Sequence, residues 1–443
     1  MIAPGYDGWV NPGGLATFVA IAVIAMFGPL KRIARLRLVT LASVLSLEAA
    51  AAHADTGDAV PPLSIATRET FDAFAVPAGT EPGTTLLNKI QLSATLRGEK
   101  LALNGWLLHA QIIRFDGQSL LRRMGDIQTA DNIEALPVTR LFEAYLAKMW
   151  GDEEHSVAVR IGMIDLNSQF DSIDTASLML NSSHGIAPDL SRSGRNGPSI
   201  YPVTAIGSTV TWVYSPAWTF RLGAFEGVSG SPTAPHAFFA ERLKPSDGLL
   251  LISQADWQVT NNSRLEVGAW GYTAAQRSPF GDKAHDRGGY VSYEAPLHLL
   301  PHLNFWLRAG FANGEAQPLA GYFGAGLVQQ GMVAGRPGDR IGFAVAHAII
   351  GRATVRALGL HEAETSVEVT YQAKISRRFV VQPDVDYVHR PAGRQNAPDS
   401  IGIGIRFIYA TAAPIRMAAS DPGDPTIPPD GSPPGAGNNS DQQ

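Results

Sequence analysis

Between Leu86 and Tyr409 apolar and polar residues alternate one by one, in segments of about ten residues separated by turn residues. From Lys89 to Arg97, Ile90, Leu92, Ala94 and Leu96 share one parity, and Gln91, Ser93, Thr95 and Arg97 take the other. From Ser156 to Ile164 the apolar row is Val157, Val159, Ile161 and Met163, opposed to Ser156, Ala158, Arg160 and Gly162. Trp218, Phe220, Leu222 and Ala224 stand against Thr219, Arg221 and Gly223; Leu303, Phe305, Leu307 and Ala309 stand against Asn304, Trp306 and Arg308. Ile401, Ile403, Ile405, Phe407 and Tyr409 oppose Gly402, Gly404 and Arg406, and the aromatic end suits an interfacial girdle.

Successive side chains of a strand point to opposite faces, so each segment predicts a strand with one apolar and one polar face. The arginines keep to the polar parity. An arginine facing lipid near the midplane costs about 2–4 kcal/mol, so the apolar rows should meet lipid and the polar rows a wet lumen. The fold class is therefore all-β, a transmembrane antiparallel β-barrel of the bacterial outer-membrane type. About fifteen candidate strands can be picked out, and a single-chain barrel with both ends in the periplasm needs an even number, which makes sixteen the nearest solution. Helical stretches are short, the best lying around Thr175 to Leu180. A soluble β-sandwich or propeller also alternates, but rarely combines so many apolar outward rows with inward arginines.

One stretch breaks the rhythm. Leu166 to Pro202 runs for 37 residues between strong strand patterns, far beyond an ordinary hairpin loop. A barrel of sixteen strands encloses an aqueous channel, and a loop folded inward would narrow it to solute size. The plainer alternative is an external surface loop.

Composition adds an address and removes several chemistries. Lys31, Arg32, Arg35 and Arg37, then the apolar Leu38 to Leu47, then Ala52-His53-Ala54, have the layout of an export signal, so residues 1–54 are expected to be removed and the mature chain to begin at Asp55. Met26 gives that signal ordinary proportions, which makes it the better start. Residues 55–85 are expected to form an N-terminal periplasmic segment, 86–412 the barrel, and 413–443 a disordered tail rich in Pro, Gly, Ser, Asp and Asn. After residue 54 no apolar run approaches the roughly 20 residues of a membrane-spanning helix. Removing residues 1–54 leaves 31 basic against 38 acidic residues, a net charge of −7 that offers no basic field to nucleic acid. Cysteine is absent, which excludes disulfides, thiol nucleophiles and thiolate metal sites.

Four blocks of the sequence together carry a family resemblance. The first is Gly125-Asp126-Ile127-Gln128, then Asp131-Asn132-Ile133-Glu134-Ala135 and Arg140-Leu141-Phe142-Glu143. The second is Arg160-Ile161-Gly162-Met163-Ile164-Asp165, Phe170, Asn181-Ser182-Ser183-His184-Gly185 and Tyr201-Pro202, which frame the long loop. The third runs from Gly326-Leu327-Val328 through Gly331 to Gly335-Arg336-Pro337-Gly338-Asp339-Arg340-Ile341-Gly342. The fourth is Glu368-Val369-Thr370-Tyr371, Gln382-Pro383-Asp384-Val385-Asp386-Tyr387-Val388, Pro391-Ala392-Gly393 and Gly404-Ile405-Arg406. In their order and spacing these blocks resemble the carbohydrate-selective porins of the OprB type, and the resemblance implies a sixteen-stranded channel in the bacterial outer membrane that admits monosaccharides and similar small polyols passively, with no cofactor. Two departures stand out: Ala410 to Gln443 follows the last strand, where the family ends soon after an aromatic residue, and Asp386 precedes Tyr387 where Gln is expected.

Sugar passage needs shallow sites where hydroxyls exchange water for protein donors and acceptors beside aromatic faces. Candidates on inward strand faces are Glu143, Arg160, Arg221 and Arg308; in or beside the long loop they are Asp165, Asn167, Phe170, Asn181 and His184. Any of these charges could equally close an ion pair across the lumen. Asp339 and Arg340 fit a turn brace better than a solute contact. His184 has no partner at metal-ligand spacing, so no metal is expected. An Arg-bearing lumen would also favour small anions or organic acids, and this is the nearest alternative. An exported glycan-acting enzyme is the alternative from another class, although no nucleophile elbow, phosphate loop or paired-carboxylate motif appears. The partners expected are small carbohydrates as solutes and outer-membrane lipid; monomer and homotrimer both remain open.

Overall fold

The computed structural model describes residues 62–239, 241, 244–277 and 283–411. The expected export signal and the C-terminal tail beyond residue 411 lie outside them. The strands are β1 (Leu63–Ala78), β2 (Gly83–Arg97), β3 (Trp106–Gly117), β4 (Val138–Gly151), β5 (Ser156–Ile164), β6 (Ala205–Ser215), β7 (Trp218–Glu226) and β8 (Leu249–Thr260). They continue as β9 (Ser263–Tyr272), β10 (Arg287–Pro296), β11 (Leu303–Ala312), β12 (Leu319–Gln330), β13 (Arg340–Ile350), β14 (Ala363–Lys374), β15 (Phe379–His389) and β16 (Ser400–Ala410). All sixteen pair antiparallel with their sequence neighbours and β1 pairs with β16, which closes the sheet into a barrel. A two-residue ladder, Gln276–Arg277 with Lys283–Ala284, forms a separate sheet.

The barrel opens at Leu63, not at residue 86, which corrects the expected periplasmic segment over most of its length. β1 was hidden because its alternation is blurred: Glu69 stands on the outward row among Ile65, Phe71 and Ala73, while Phe74 and Val76 are buried on the inward row. Its pairing with β16 sets Phe71 opposite Phe407 outside and Asp72 opposite Arg406 inside. Arg406 donates to Asp72 (2.7–3.0 Å) and to Asp131 (2.8 Å), so an ion cluster bridges the seam.

Outward rows are apolar and exposed, as in Ile161 (60%), Leu222 (60%) and Val267 (53%). The four longest connections (118–137, 165–204, 227–248 and 273–286) all lie at one end, while none at the other exceeds the nine residues of 331–339. Leu63 and Ala410, the barrel's two ends, lie at the short-turn end, the side that faces the periplasm in such barrels. Aromatic pairs cluster there: Trp218 stacks on Trp257 at 5.6 Å, Phe379 on Phe407 at 6.3 Å, and Tyr293 meets Phe305 edge-on at 5.8 Å. Lys148 lies 5.4 Å and 5.6 Å from the rings of Trp106 and Trp150. Such a girdle places amphipathic rings at the headgroup level.

Leu222→Arg, at the centre of β7, is expected to lower folding stability in lipid by about 2–4 kcal/mol, whereas Gln91→Arg on the inner row of β2 should be near neutral. Urea titration of the barrel refolded into liposomes checks the contrast, and equal effects would contradict the assignment of faces.

Candidate functional site: the lumen and its long loop

Residues 165–204, between β5 and β6, form an ordered loop of short helical turns. Asp165 caps the first, Leu166–Ser168, by accepting from Asn167 N, and Asn181 caps Ser182–His184 by accepting from Ser183 N. Asn167 donates through Nδ2 to the carbonyls of Phe170, Asp171 and Gly185 at 3.1–3.2 Å. Those bonds tie the loop's two arms together. Thr175–Leu178 is a single 3₁₀ turn, so the helical stretch expected there shrinks to its first four residues.

The loop packs against inward rows of the wall. Ile173, Ala176, Leu178 and Met179 cluster with Trp306, Val328 and Ala344, while Phe170, Ile186 and Leu190 sit among Phe225, Ile252 and Trp270. Gly342 permits the approach: a Cβ there would stand 2.5 Å from Met179 Cε. Charged anchors fix the register. Arg308 of β11 donates to Asp171 (2.8 and 2.9 Å) and to Asp189 (Oδ2, 3.1 Å), with its guanidinium over the rings of Tyr290 and Tyr322 at 5.2 and 5.3 Å. Glu368 of β14 accepts from Leu180 N (2.6 Å) and Asn181 N (3.0 Å); Glu294 of β10 accepts from Thr175 N and Oγ1 (2.9 and 2.8 Å). The β3–β4 connection is held the same way, Glu364 accepting from Ile127 N and Gln128 N.

Burial pushes the Asp189 carboxyl up to about 6 although Arg308 opposes the shift, and burial pushes the His184 imidazole down to about 3, which leaves it neutral. Glu368→Ala would leave two buried N–H groups without an acceptor, at about 1–3 kcal/mol each. The variant is expected to lose its heat-resistant folded band at a lower temperature than wild type, as gel shift can show; an unchanged transition would contradict the anchoring role.

What the loop leaves open is a cavity of about 1640 Å³. It reaches from Ser119 and Leu121 in the β3–β4 connection to Arg377 and Arg378 in the β14–β15 turn. Its wall is the inward rows of β1 to β5 and of β14 to β16, with Arg68, Lys89, Gln91, His109, Arg160 and Arg406 among its residues; the loop contributes Arg192 and Arg195. Nine Lys or Arg side chains line it, against three acidic ones, Glu134, Glu143 and Asp165. Aromatic faces stand beside the cations: the Arg160 guanidinium lies 5.4 Å from the Tyr145 ring and Lys89 Nζ 4.7 Å from the Tyr201 ring. Glu143 accepts from Asp165 N at 3.0 Å and lies 3.8 Å from His109 Nε2.

Of the nine residues singled out from the sequence, Glu143, Arg160, Asp165 and Asn167 line the cavity. The other five are buried between loop and wall. Phe170 is 0% exposed in an apolar cluster; Asn181 bonds Ser366 and Asp386; His184 packs edge-on against Trp306 at 5.1 Å; Arg221 is ion-paired to Asp256; Arg308 clamps the loop. Parity gave their direction correctly, but the loop covers them. Sequence reasoning missed Arg68 because β1 was missed, and Lys89 although it begins the inward row Gln91, Ser93, Thr95. Arg192 and Arg195 carried no signal beyond their place in the loop. Among the described residues no group of acidic or histidine side chains has metal-holding geometry.

A closed sixteen-strand barrel with a lipid-compatible outer face and a polar lumen crossed by a folded loop defines a porin. This chain belongs to the carbohydrate-selective porin, OprB family, whose sequence profile matches residues 83–408. It is similar to OprB of Pseudomonas putida in its high-pH structure, at TM-score 0.69 and 16% identity, over 79% of this chain and 94% of that one. The outer membrane channel DcaP of Acinetobacter baumannii shares the fold at TM-score 0.50 and 9% identity, over 79% and 97% of the two chains. QuiX of Acinetobacter baylyi, named as a porin, is 24% identical over 400 residues, spanning 75% of this chain and 85% of that protein. The protein is thus a channel of the bacterial outer membrane, not an enzyme.

Proposed function

We propose that monosaccharide-sized carbohydrates diffuse passively between the long loop and the wall formed by β1–β5 and β14–β16, and that the docked loop sets the width of the path. The observation that carries this reading is the lining itself: hydrogen-bonding side chains stand beside the rings of Tyr145 and Tyr201 in a single cavity. A sugar presents hydroxyls around its rim and C–H groups on its faces. Gln91, Ser93, Gln111, Glu143 and Asn167 can exchange hydrogen bonds with the rim, while Tyr145 and Tyr201 can take a face. Each contact replaces one with water, so affinity stays low enough for release, as conduction requires. Purified protein in liposomes should speed swelling with pentoses and hexoses well above empty liposomes; no acceleration would overturn the reading.

The excess of nine basic over three acidic lining residues favours a second reading, in which the solutes are small hydroxylated anions. Reversal potential in a salt gradient, measured with and without added sugar, separates the two. A chloride preference relieved by carboxylated but not by neutral sugars favours the second.

A further inference from the structure

The periplasmic mouth of the lumen carries cations that no acid answers. Lys374 ends the inward row of β14, Arg377 and Arg378 stand exposed in the turn that follows, and all three line the cavity. Among the described residues no carboxylate pairs with any of these three side chains. Asp339, in the neighbouring β12–β13 turn, accepts from Lys374 N at 3.0 Å, but its carboxylate is otherwise taken by Arg336 and Tyr371. Deeper in the cavity the situation differs, since Arg406 is answered by Asp72 and Asp131.

The chain itself leaves the barrel at this mouth. Ala410 N donates to Arg378 O at 3.0 Å, Thr411 N donates to Thr67 O at 3.0 Å, and Ala410 and Thr411 both line the cavity. Residues 412–443 lie outside the described residues, but their sequence is acidic. Asp421, Asp424, Asp430 and Asp441 stand against the single base Arg416, and Pro422, Pro425, Pro428 and Pro429 separate the first three. The ten residues from Thr411 to Asp421 can span at most about 35 Å, enough to turn back on a mouth that begins beside Thr411. A tether of this length keeps a segment at an effective concentration on the order of millimolar, so weak attraction suffices. Proline also lowers the backbone freedom lost on docking.

We propose that residues 421–430 fold back as an acidic strap on the mouth, laying Asp421, Asp424 and Asp430 against Lys374, Arg377 and Arg378, and so lower the channel's preference for anions at its periplasmic exit. With the strap docked, the basic excess of the lining is offset at this one end, and the exit favours neutral solutes over anions. A separate acidic protein is the poorer occupant, because it lacks the tether and must compete with a segment already held at the mouth. A strap of this kind works whichever solute the channel passes.

The test is the reversal potential of the full chain in a planar bilayer under a potassium chloride gradient, beside the variant Asp421→Asn/Asp424→Asn/Asp430→Asn, which keeps the tail's length. In about 0.1 M salt the chloride-over-potassium permeability ratio of the variant should rise roughly threefold above wild type. The difference should vanish in 1 M salt, where the Debye length is about 3 Å. With Arg377→Gln/Arg378→Gln also present, the same three substitutions should change the ratio far less. An equal ratio in wild type and variant overturns the proposal, as does a rise undiminished by Arg377→Gln/Arg378→Gln, which would place the aspartates' action elsewhere. If the variant fails to insert, cysteine pairs decide, because the chain has no cysteine of its own. Gly423→Cys should be linked by a bis-maleimide in intact membranes to Ser376→Cys far faster than to Asn262→Cys in the β8–β9 turn. Equal rates at the two turns overturn the proposal.

Discussion

Replacing Arg308 by alanine is expected to loosen the long loop and let solutes larger than a monosaccharide through. The guanidinium answers two loop carboxylates, Asp171 and Asp189, whose side chains are 2% and 0% exposed. Removing it leaves both charges buried without a counter-ion, and breaking such a pair costs about 3–5 kcal/mol. At about 1.4 kcal/mol per tenfold change, the docked loop loses roughly two to four orders of magnitude against its undocked forms. Proton uptake by Asp189 would soften the effect at acidic pH, since burial already lifts its carboxyl to about 6. Liposome swelling with a trisaccharide, negligible for wild type, should become readily measurable for Arg308→Ala, and single-channel conductance should rise. Arg308→Lys should fall between, because a point charge cannot bridge two carboxylates as a planar fork does. A variant with unchanged exclusion of trisaccharides would show that the loop is held elsewhere or does not set the width.

The second large effect concerns charge. Lys89→Glu with Arg160→Glu should reverse the channel's ion preference from anions toward cations. At about 8 Å from a passing ion each charge contributes roughly 0.5–2 kcal/mol, depending on how much water intervenes, so reversing two should change the permeability ratio by about tenfold or more. The preference should fade in 1 M salt, where the Debye length falls to about 3 Å. Reversal potentials in a potassium chloride gradient give the ratio directly; an unchanged sign would mean that the loop and turn arginines, Arg192, Arg195, Arg377 and Arg378, govern the field instead.

Much of the barrel was legible because lipid outside and water inside impose the period-two pattern without exception in most strands. The segment Ser156 to Ile164 is β5 to the residue, and Trp218 and Leu303 open β7 and β11 as read. β1 escaped because two forces broke its pattern at once. Phe74 and Val76 face inward to pack under the β3–β4 connection, and Glu69 faces outward, where Asn88 Nδ2 donates to it.

The site was legible by direction and not by depth. Period two says that Arg221 and Arg308 point inward; it cannot say that the loop fills the space in front of them. The distinctive loop residues Phe170, Asn181 and His184 turned out to build the loop and its seat. The solute-facing groups are commoner residues, such as Gln91 and Ser93, whose importance comes only from being left uncovered.

On the proposed reading, the docked loop narrows the path to monosaccharide size. Liposome swelling with one series of solutes, from pentose through hexose and disaccharide to trisaccharide, measures that width. Swelling should be fast with pentoses and hexoses, fall steeply at the disaccharide and stay at background with the trisaccharide. Rates that decline smoothly with solute mass across the whole series would describe a wide, unconstricted pore and contradict it.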